Sequence, residues 1–180
     1  MSNVSNPMEA IAQLELEYFR LRFGYGDGVE CVEWASERLG NDQEGDDLDI
    51  VTLAGARGRD EVMPLVETII DRYCGSNRID DEFAAGKYIV KLRADYAQGR
   101  ETIQSVESAL AILYPKLGYP NWLVMLTRNC EYATDIPAFE EPFEREFSYI
   151  ATLWAEAKNK ADFDVKYSRD VSNQHDAKYC

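Results

Sequence analysis

The sequence predicts an all-α fold, a single-domain bundle of about eight helices, on three observations. Apolar residues recur at steps of three and four in every long segment. No segment alternates apolar and polar residues for long, and β-branched residues do not cluster, so a sheet is not expected. Gly28, Gly40, Gly55, Gly75 and Gly99 punctuate the periodic segments as stops. A chain of 180 residues with 46% hydrophobic content is long enough to bury a core without disulfides or metal. Its 7 Phe, 11 Tyr and 3 Trp are far more aromatic surface than disordered chains carry.

The first helix is expected from Asn6-Pro7-Met8-Glu9, where Asn6 caps, Pro7 sits where a missing N–H is harmless and Glu9 takes the capping-box position. Ile11, Leu14, Tyr18 and Leu21 share one face of it toward Phe23, and Gly24, Gly26 and Gly28 end the pattern. A second helix spans Val29 to Leu39 with Val32, Ala35 and Leu39 inward and Trp34 at the edge of that face, and Gly40 stops it. Asn41 to Asp49 reads as an acidic loop, followed by a short apolar turn of Leu48, Ile50, Val51, Leu53 and Ala54 that Gly55 closes.

From Asp60 the stripe Val62, Leu65, Val66, Ile69, Ile70, Tyr73 is helical, with its regular part beginning near Pro64 and its end at Gly75. Asp80 to Gln98 follows, carrying Phe83, Ala84, Tyr88, Leu92 and Tyr96, with Asp80, Asp81 and Glu82 at the positive end of its dipole. Glu101 to Tyr114 repeats the habit through Ile103, Val106, Leu110 and Leu113 before Pro115, Gly118 and Pro120 force a turn. Trp122 to Ala133 is a shorter helix. The last begins near Pro137 or Pro142 and carries Phe143, Phe147, Ile150 and Trp154 toward Asn159. Residues 1–159 are thus expected to form the helical domain, and residues 160–180, where apolar residues thin to Phe163, Val165, Tyr167 and Val171, a docked extension or a mobile tail.

Charge is the most uneven property of the chain. Thirty-three Asp and Glu stand against 19 Lys and Arg, a formal net charge of −14, and the acids fall in runs. The densest is Asp42, Glu44, Asp46, Asp47 and Asp49, with no Lys or Arg between Arg38 and Arg57. A second is Asp135, Glu140, Glu141, Glu144 and Glu146, relieved only by Arg145. Such fields repel phosphate and attract basic surfaces, so nucleic acid is not an expected partner.

Sites for chemistry are wanting. The one His, His175, lies near the C-terminus, so the commonest general base is missing from the body. Cys31, Cys74, Cys130 and Cys180 are far apart with no C-x-x-C pair and no His beside them, which predicts reduced thiols and no metal site. The acidic stretch fails as an EF-hand: with Gly45 at the obligatory sixth position, the first ligand position is Gly40. Glu141 and Glu144 form an E-x-x-E pair, but bundle metal sites join Glu to Glu-x-x-His. Gly24-Tyr25-Gly26-Asp27-Gly28 follows a helix rather than a strand and lacks the Lys and Ser or Thr of a phosphate loop. No cofactor and no catalytic residue is therefore expected.

The N-terminus, Met1 to Pro7, carries neither a basic region nor an apolar run, so a secretory signal is not expected. The most apolar stretch, Ala109 to Leu126, is broken by Lys116, Gly118 and two prolines, so no membrane span is expected either. The sequence places the protein in the cytosol.

Two readings of the acidic runs remain: solvated faces that maintain solubility, or a docking surface. Aromatic residues beside the charge favour docking, with Tyr25 and Trp34 near the first run and Tyr132, Phe139 and Phe143 near the second. The expected contact residues are Asp42, Glu44, Asp46, Asp47 and Asp49 with Trp34 and Tyr25, and then Glu140, Glu141 and Glu144.

The stretch Trp34-Ala35 through Leu39, then Leu48 and Leu53-Ala54-Gly55, resembles a pattern of small helical bacterial proteins that serve as immunity partners of secreted antibacterial toxins, whether polymorphic, type VI or contact-dependent. That resemblance implies a mechanism without catalysis, in which the protein binds its cognate toxin in the cytosol and covers or distorts the active site. Composition alone fits two other classes as well, a non-catalytic adaptor or oligomeric scaffold and a hydrolase relying on acid pairs.

Overall fold

A computed structural model describes residues 7–176 of the chain, with side chains described for residues 11–170. Every regular element among the described residues is helical, so the protein is all-α. The Asn6 cap, Cys180 and the side chain of His175 lie outside what is described. No helix among the described residues is long and apolar enough to cross a membrane.

Packing groups the helices into two compact units that divide between Ile79 and Asp80. The first contains α1 (Pro7–Phe23), α2 (Val29–Gly40), α3 (Leu48–Gly55) and α4 (Arg59–Cys74). Here α1 packs on α4 and α2, while α3 packs on α2 and α4. The expected stripes meet in its core, where Leu14, Leu21, Ala35, Leu53, Val62, Val66, Ile69 and Ile70 are almost wholly buried. Gly28 enters α2 at φ +97° with Val62 so close that an added Cβ would stand 2.8 Å from its Cγ1. Backbone conformation and space both require glycine there.

Three expectations change in this unit. The apolar segment after the acidic loop is a two-turn helix, because Asp47 caps it and starts it at Leu48, inside the acidic run. Helix α4 starts at Arg59, one turn before the proline expected to open it, and holds Pro64 on its exposed side. Tyr73 continues the apolar stripe by spacing but is 49% exposed, with its hydroxyl bonded to Asp47 at 2.9 Å, while Cys74 beside it packs on the core.

The second unit contains α5 (Asp81–Ala97), α6 (Ile103–Lys116), α7 (Asn121–Asp135), a 3-10 turn (Pro137–Phe139), α8 (Glu140–Glu156) and α9 (Lys160–Asp176). Asp80 caps α5 by accepting from the N–H groups of Glu82 and Phe83 at 2.9 and 3.1 Å. Thr102 and Ser105 form a capping box on α6. Helix α8 lies at the centre, against α5 and α7, with α9 also packed on it. Its predicted stripe, Phe143, Phe147, Ile150 and Trp154, is fully buried. Lys87 of α5 donates to the carbonyls of Trp154 and Ala157 at 2.7 and 3.2 Å, putting a cation on the negative end of α8. Burial, and then the charge of Lys166, lower the Lys87 pKa from its ordinary value. Beyond Glu156 the described chain is helical from Lys160 to Asp176, with Phe163 buried.

Candidate functional site

The acidic field is concentrated in the first unit. Residues 1–79 carry 16 Asp and Glu against seven Arg and no Lys, a net of −9, while residues 80–180 carry 17 against 12, a net of −5. Within the first unit the field is organised around one turn, the entry to α3.

Asp47 is the pivot. Its carboxylate takes the N-cap position, with Oδ1 accepting from the Asp49 N–H at 3.0 Å. The same oxygen pairs with Nη1 of Arg72, and Oδ2 accepts from the Tyr73 hydroxyl at 2.9 Å. Arg72 reaches Asp49 with its other terminal nitrogen, so one guanidinium ties together two carboxylates of the loop from α4. The Asp47 side chain is only 4% exposed, and burial alone would raise its pKa. Arg72, Tyr73 and the Asp49 N–H outweigh burial and hold it below the ordinary carboxylate value. The Tyr73 hydroxyl is pushed up, first by burial and then by its bond to Asp47.

These contacts sort the five acids of the run. Asp47 and Asp49 are held by Arg72 and fix the shape of the loop. Asp42 and Asp46 are exposed, and Glu44 is half-buried. Asp42 takes a left-handed backbone with φ 52°, as the chain turns away from α2. Asp46, Asp47, Leu48, Asp49, Arg72 and Tyr73 line an open groove of about 610 Å³. Leu48 stands beside the acids with 76% of its surface exposed.

The aromatic residues expected to support this run are placed otherwise. Trp34 is 8% exposed within the core of the first unit, and the Arg38 guanidinium covers its ring at 4.8 Å, so it supports the surface from below and is no anchor on it. Tyr25 is half-buried in the α1–α2 turn, at the opposite end of α2 from the loop, and twelve residues of helix span about 18 Å. The exposed ring beside the acids is Tyr73, which its spacing had assigned to the core. Leu48 was legible only as part of an apolar turn. Arg72 gave no local signal, since its partners lie 23 and 25 residues away.

The second run lies in the second unit. Glu140 and Glu141 are exposed in the first turn of α8, where the helix dipole favours them. Glu144 accepts from the Tyr96 hydroxyl at 3.2 Å. Glu146 is partly buried, and desolvation raises its pKa. Phe143, named beside this run as well as on the apolar stripe of the last helix, is fully buried on that stripe. Tyr132 and Phe139 pack on each other at 5.0 Å. This run therefore offers charge at a helix start with less structure built around it than the first.

No protein-family model, curated protein or solved structure matches this chain.

The role of Asp47 gives a stability prediction. Replacing it with Ala removes a helix cap, worth about 1 kcal/mol, and its bonds to Arg72 and Tyr73, so the first unit should lose about 2 kcal/mol in denaturant unfolding. A carboxyl with a depressed folded pKa stabilises above its unfolded value near 4, and that contribution is lost as pH falls through the depressed value. Asp47→Asn should therefore flatten the acid limb of the stability profile. An unchanged limb would mean that Asp47 and Arg72 are not paired in solution.

Proposed function

We propose that this chain is a non-catalytic, acidic binding protein whose first unit docks a basic protein, and that it acts as the immunity partner of a toxin. The observation that carries the reading is the charge of the first unit, −9, presented around a loop whose shape the Asp47–Arg72–Asp49 clamp fixes in advance. A preorganised loop loses little conformational freedom on binding, and exposed Asp42 and Asp46 supply the field that speeds encounter. The resemblance carried by Trp34-Ala35 to Leu39, Leu48 and Leu53-Ala54-Gly55 supports the choice of a toxin as the partner, since those residues flank the acidic loop.

The test is kinetic and genetic. The Debye length falls from about 10 Å at 0.1 M salt to about 3 Å at 1 M, so association with the partner should slow steeply as salt is added. Asp42→Lys with Asp46→Lys should cut the on-rate by about an order of magnitude at low salt, with the melting temperature lowered only by the small cost of a lysine at the left-handed position 42, since both side chains are exposed. Co-expression should protect cells from a toxic neighbouring gene product, and the double variant should protect less. Zero-length carbodiimide coupling locates the contact, because the first unit has carboxylates but no Lys: a cross-link from this loop reports a lysine of the partner or of the second unit. If affinity ignores both salt and the reversal, the docking site lies elsewhere and Glu140, Glu141 and Glu144 are the next to reverse. If no toxic neighbour is neutralised, the adaptor reading replaces immunity.

A further inference from the structure

Helix α3 has the wrong outer surface for a helix at the edge of a unit. Its inward side is apolar, as expected, through Ile50 and Leu53, which are 3% and 0% exposed. Its outward side is apolar as well: Leu48, Val51, Thr52 and Gly55 fall at steps of three and four, and all four are exposed. The Thr52 hydroxyl turns back to donate to the Leu48 carbonyl at 2.8 Å, leaving its methyl as the outward group. Apart from Asp49, which Arg72 holds, α3 thus carries apolar groups on two sides, and exposing the outer stripe forfeits burial there. Leu48 and Val51, at 76% and 44% exposure, are the apolar surface this face leaves open.

We infer that the outward face of α3 is the apolar floor of the docking surface and receives an amphipathic, basic helix of the partner protein. This rests on the docking reading above and specifies its occupant. Charge complementarity selects the occupant's sign: the groove beside Leu48 is lined by exposed Asp46 and by Asp47 and Asp49 against the single cation Arg72, and exposed Asp42 adds to the field of the same loop. Length and relief select a helix. Eight residues of α3 extend about 12 Å, close to two turns of an opposing helix. The stripe runs from a projecting Leu48 to Gly55, where an added Cβ would meet nothing within 4 Å. That bare end lets another backbone approach closely, while Leu48 and Tyr73 line the groove at the other end.

Gly55 makes the inference testable without harming the fold. A side chain there enters open space, and replacing a helical glycine favours the helix, so Gly55→Gln should leave stability equal or raised. The probes are a synthetic amphipathic helix of leucine and lysine and a polylysine of equal charge, titrated onto the full chain by calorimetry. The amphipathic helix should bind at least tenfold tighter than polylysine. Gly55→Gln, and separately Leu48→Ser with Val51→Ser, should remove most of that difference while leaving polylysine binding unchanged. Asp42→Lys with Asp46→Lys should weaken both probes. If the α3 variants change neither probe while the charge reversal weakens both, the α3 face is not used and the inference falls, with the acidic docking reading intact. If the reversal also leaves both probes unchanged, the docking reading falls with it. Sedimentation of the free chain covers the other occupant: a dimer that Leu48→Ser with Val51→Ser dissolves would assign the face to a second copy and overturn the inference.

Discussion

Replacing Gly86 by Ala should destabilise the second unit by about 3 kcal/mol, although the same change in an isolated helix is stabilising by up to about 1 kcal/mol. Gly86 lies inside α5, where glycine is otherwise disfavoured. The reason it stands there is Trp154. A Cβ on Gly86 would fall 2.1 Å from Cδ2 of the indole, 2.4 Å from Cε3 and 2.6 Å from Cε2, deep inside van der Waals contact. The ring has nowhere to move, since Trp154 is fully buried and stacked on Phe163 at 3.7 Å with 6° between the planes. Trp122 meets it edge-on at 5.1 Å. Overpacking is relieved only by moving α5 away from α8, which opens the main helix pair of this unit. Denaturant unfolding followed by tryptophan fluorescence measures the loss. Trp154→Phe removes one ring of the indole, so the double variant should be more stable than the sum of the two single losses predicts. A Gly86→Ala protein as stable as the parent would place the indole elsewhere.

That contact also marks where sequence reading stops. The helices were legible because core positions repeat every three or four residues, and Phe143, Phe147, Ile150 and Trp154 show the repeat in one dimension. What Trp154 packs against is not local: the missing Cβ at Gly86 is 68 residues distant and looks like any helical glycine. The site divides the same way. Its acids were legible as a run, but their division into held and exposed members depends on Arg72, which reaches back across more than 20 residues to Asp47 and Asp49. Spacing alone put Tyr73 in the core, whereas its hydroxyl is drawn to Asp47, 26 residues away, a partner periodicity does not show. Trp34 was misplaced in the opposite sense: proximity in sequence to the acids suggested an exposed anchor, whereas its ring completes the core beneath them.

The C-terminal helix supplies the other large effect. Phe163→Ala should cost about 3 to 4 kcal/mol and release α9. Phe163 is the one side chain of α9 buried among its described residues, and it rests in an aromatic stack between Trp154 and Tyr167, with Trp122 at 5.7 Å. The polar ties around it are on the surface: Lys166 donates to the Glu156 carbonyl at 2.9 Å, and Lys160 approaches Glu82 at 3.6 Å. Exposed pairs of that kind are worth well under about 1 kcal/mol each, too little to hold a helix in place. A single helix of this length is marginal in water once undocked, so release should also reduce helicity. Three readouts should then change together: tryptophan emission shifts to the red as Trp122 and Trp154 meet water, trypsin cuts faster at Lys166 and Arg169, and the far-ultraviolet helix signal falls. Phe163→Leu should recover part of the stability by refilling the space without the stack. If Phe163→Ala lowers global stability while trypsin sensitivity at Lys166 and Arg169 follows only complete unfolding, α9 is an integral part of the second unit's cooperative core rather than an element docked upon it.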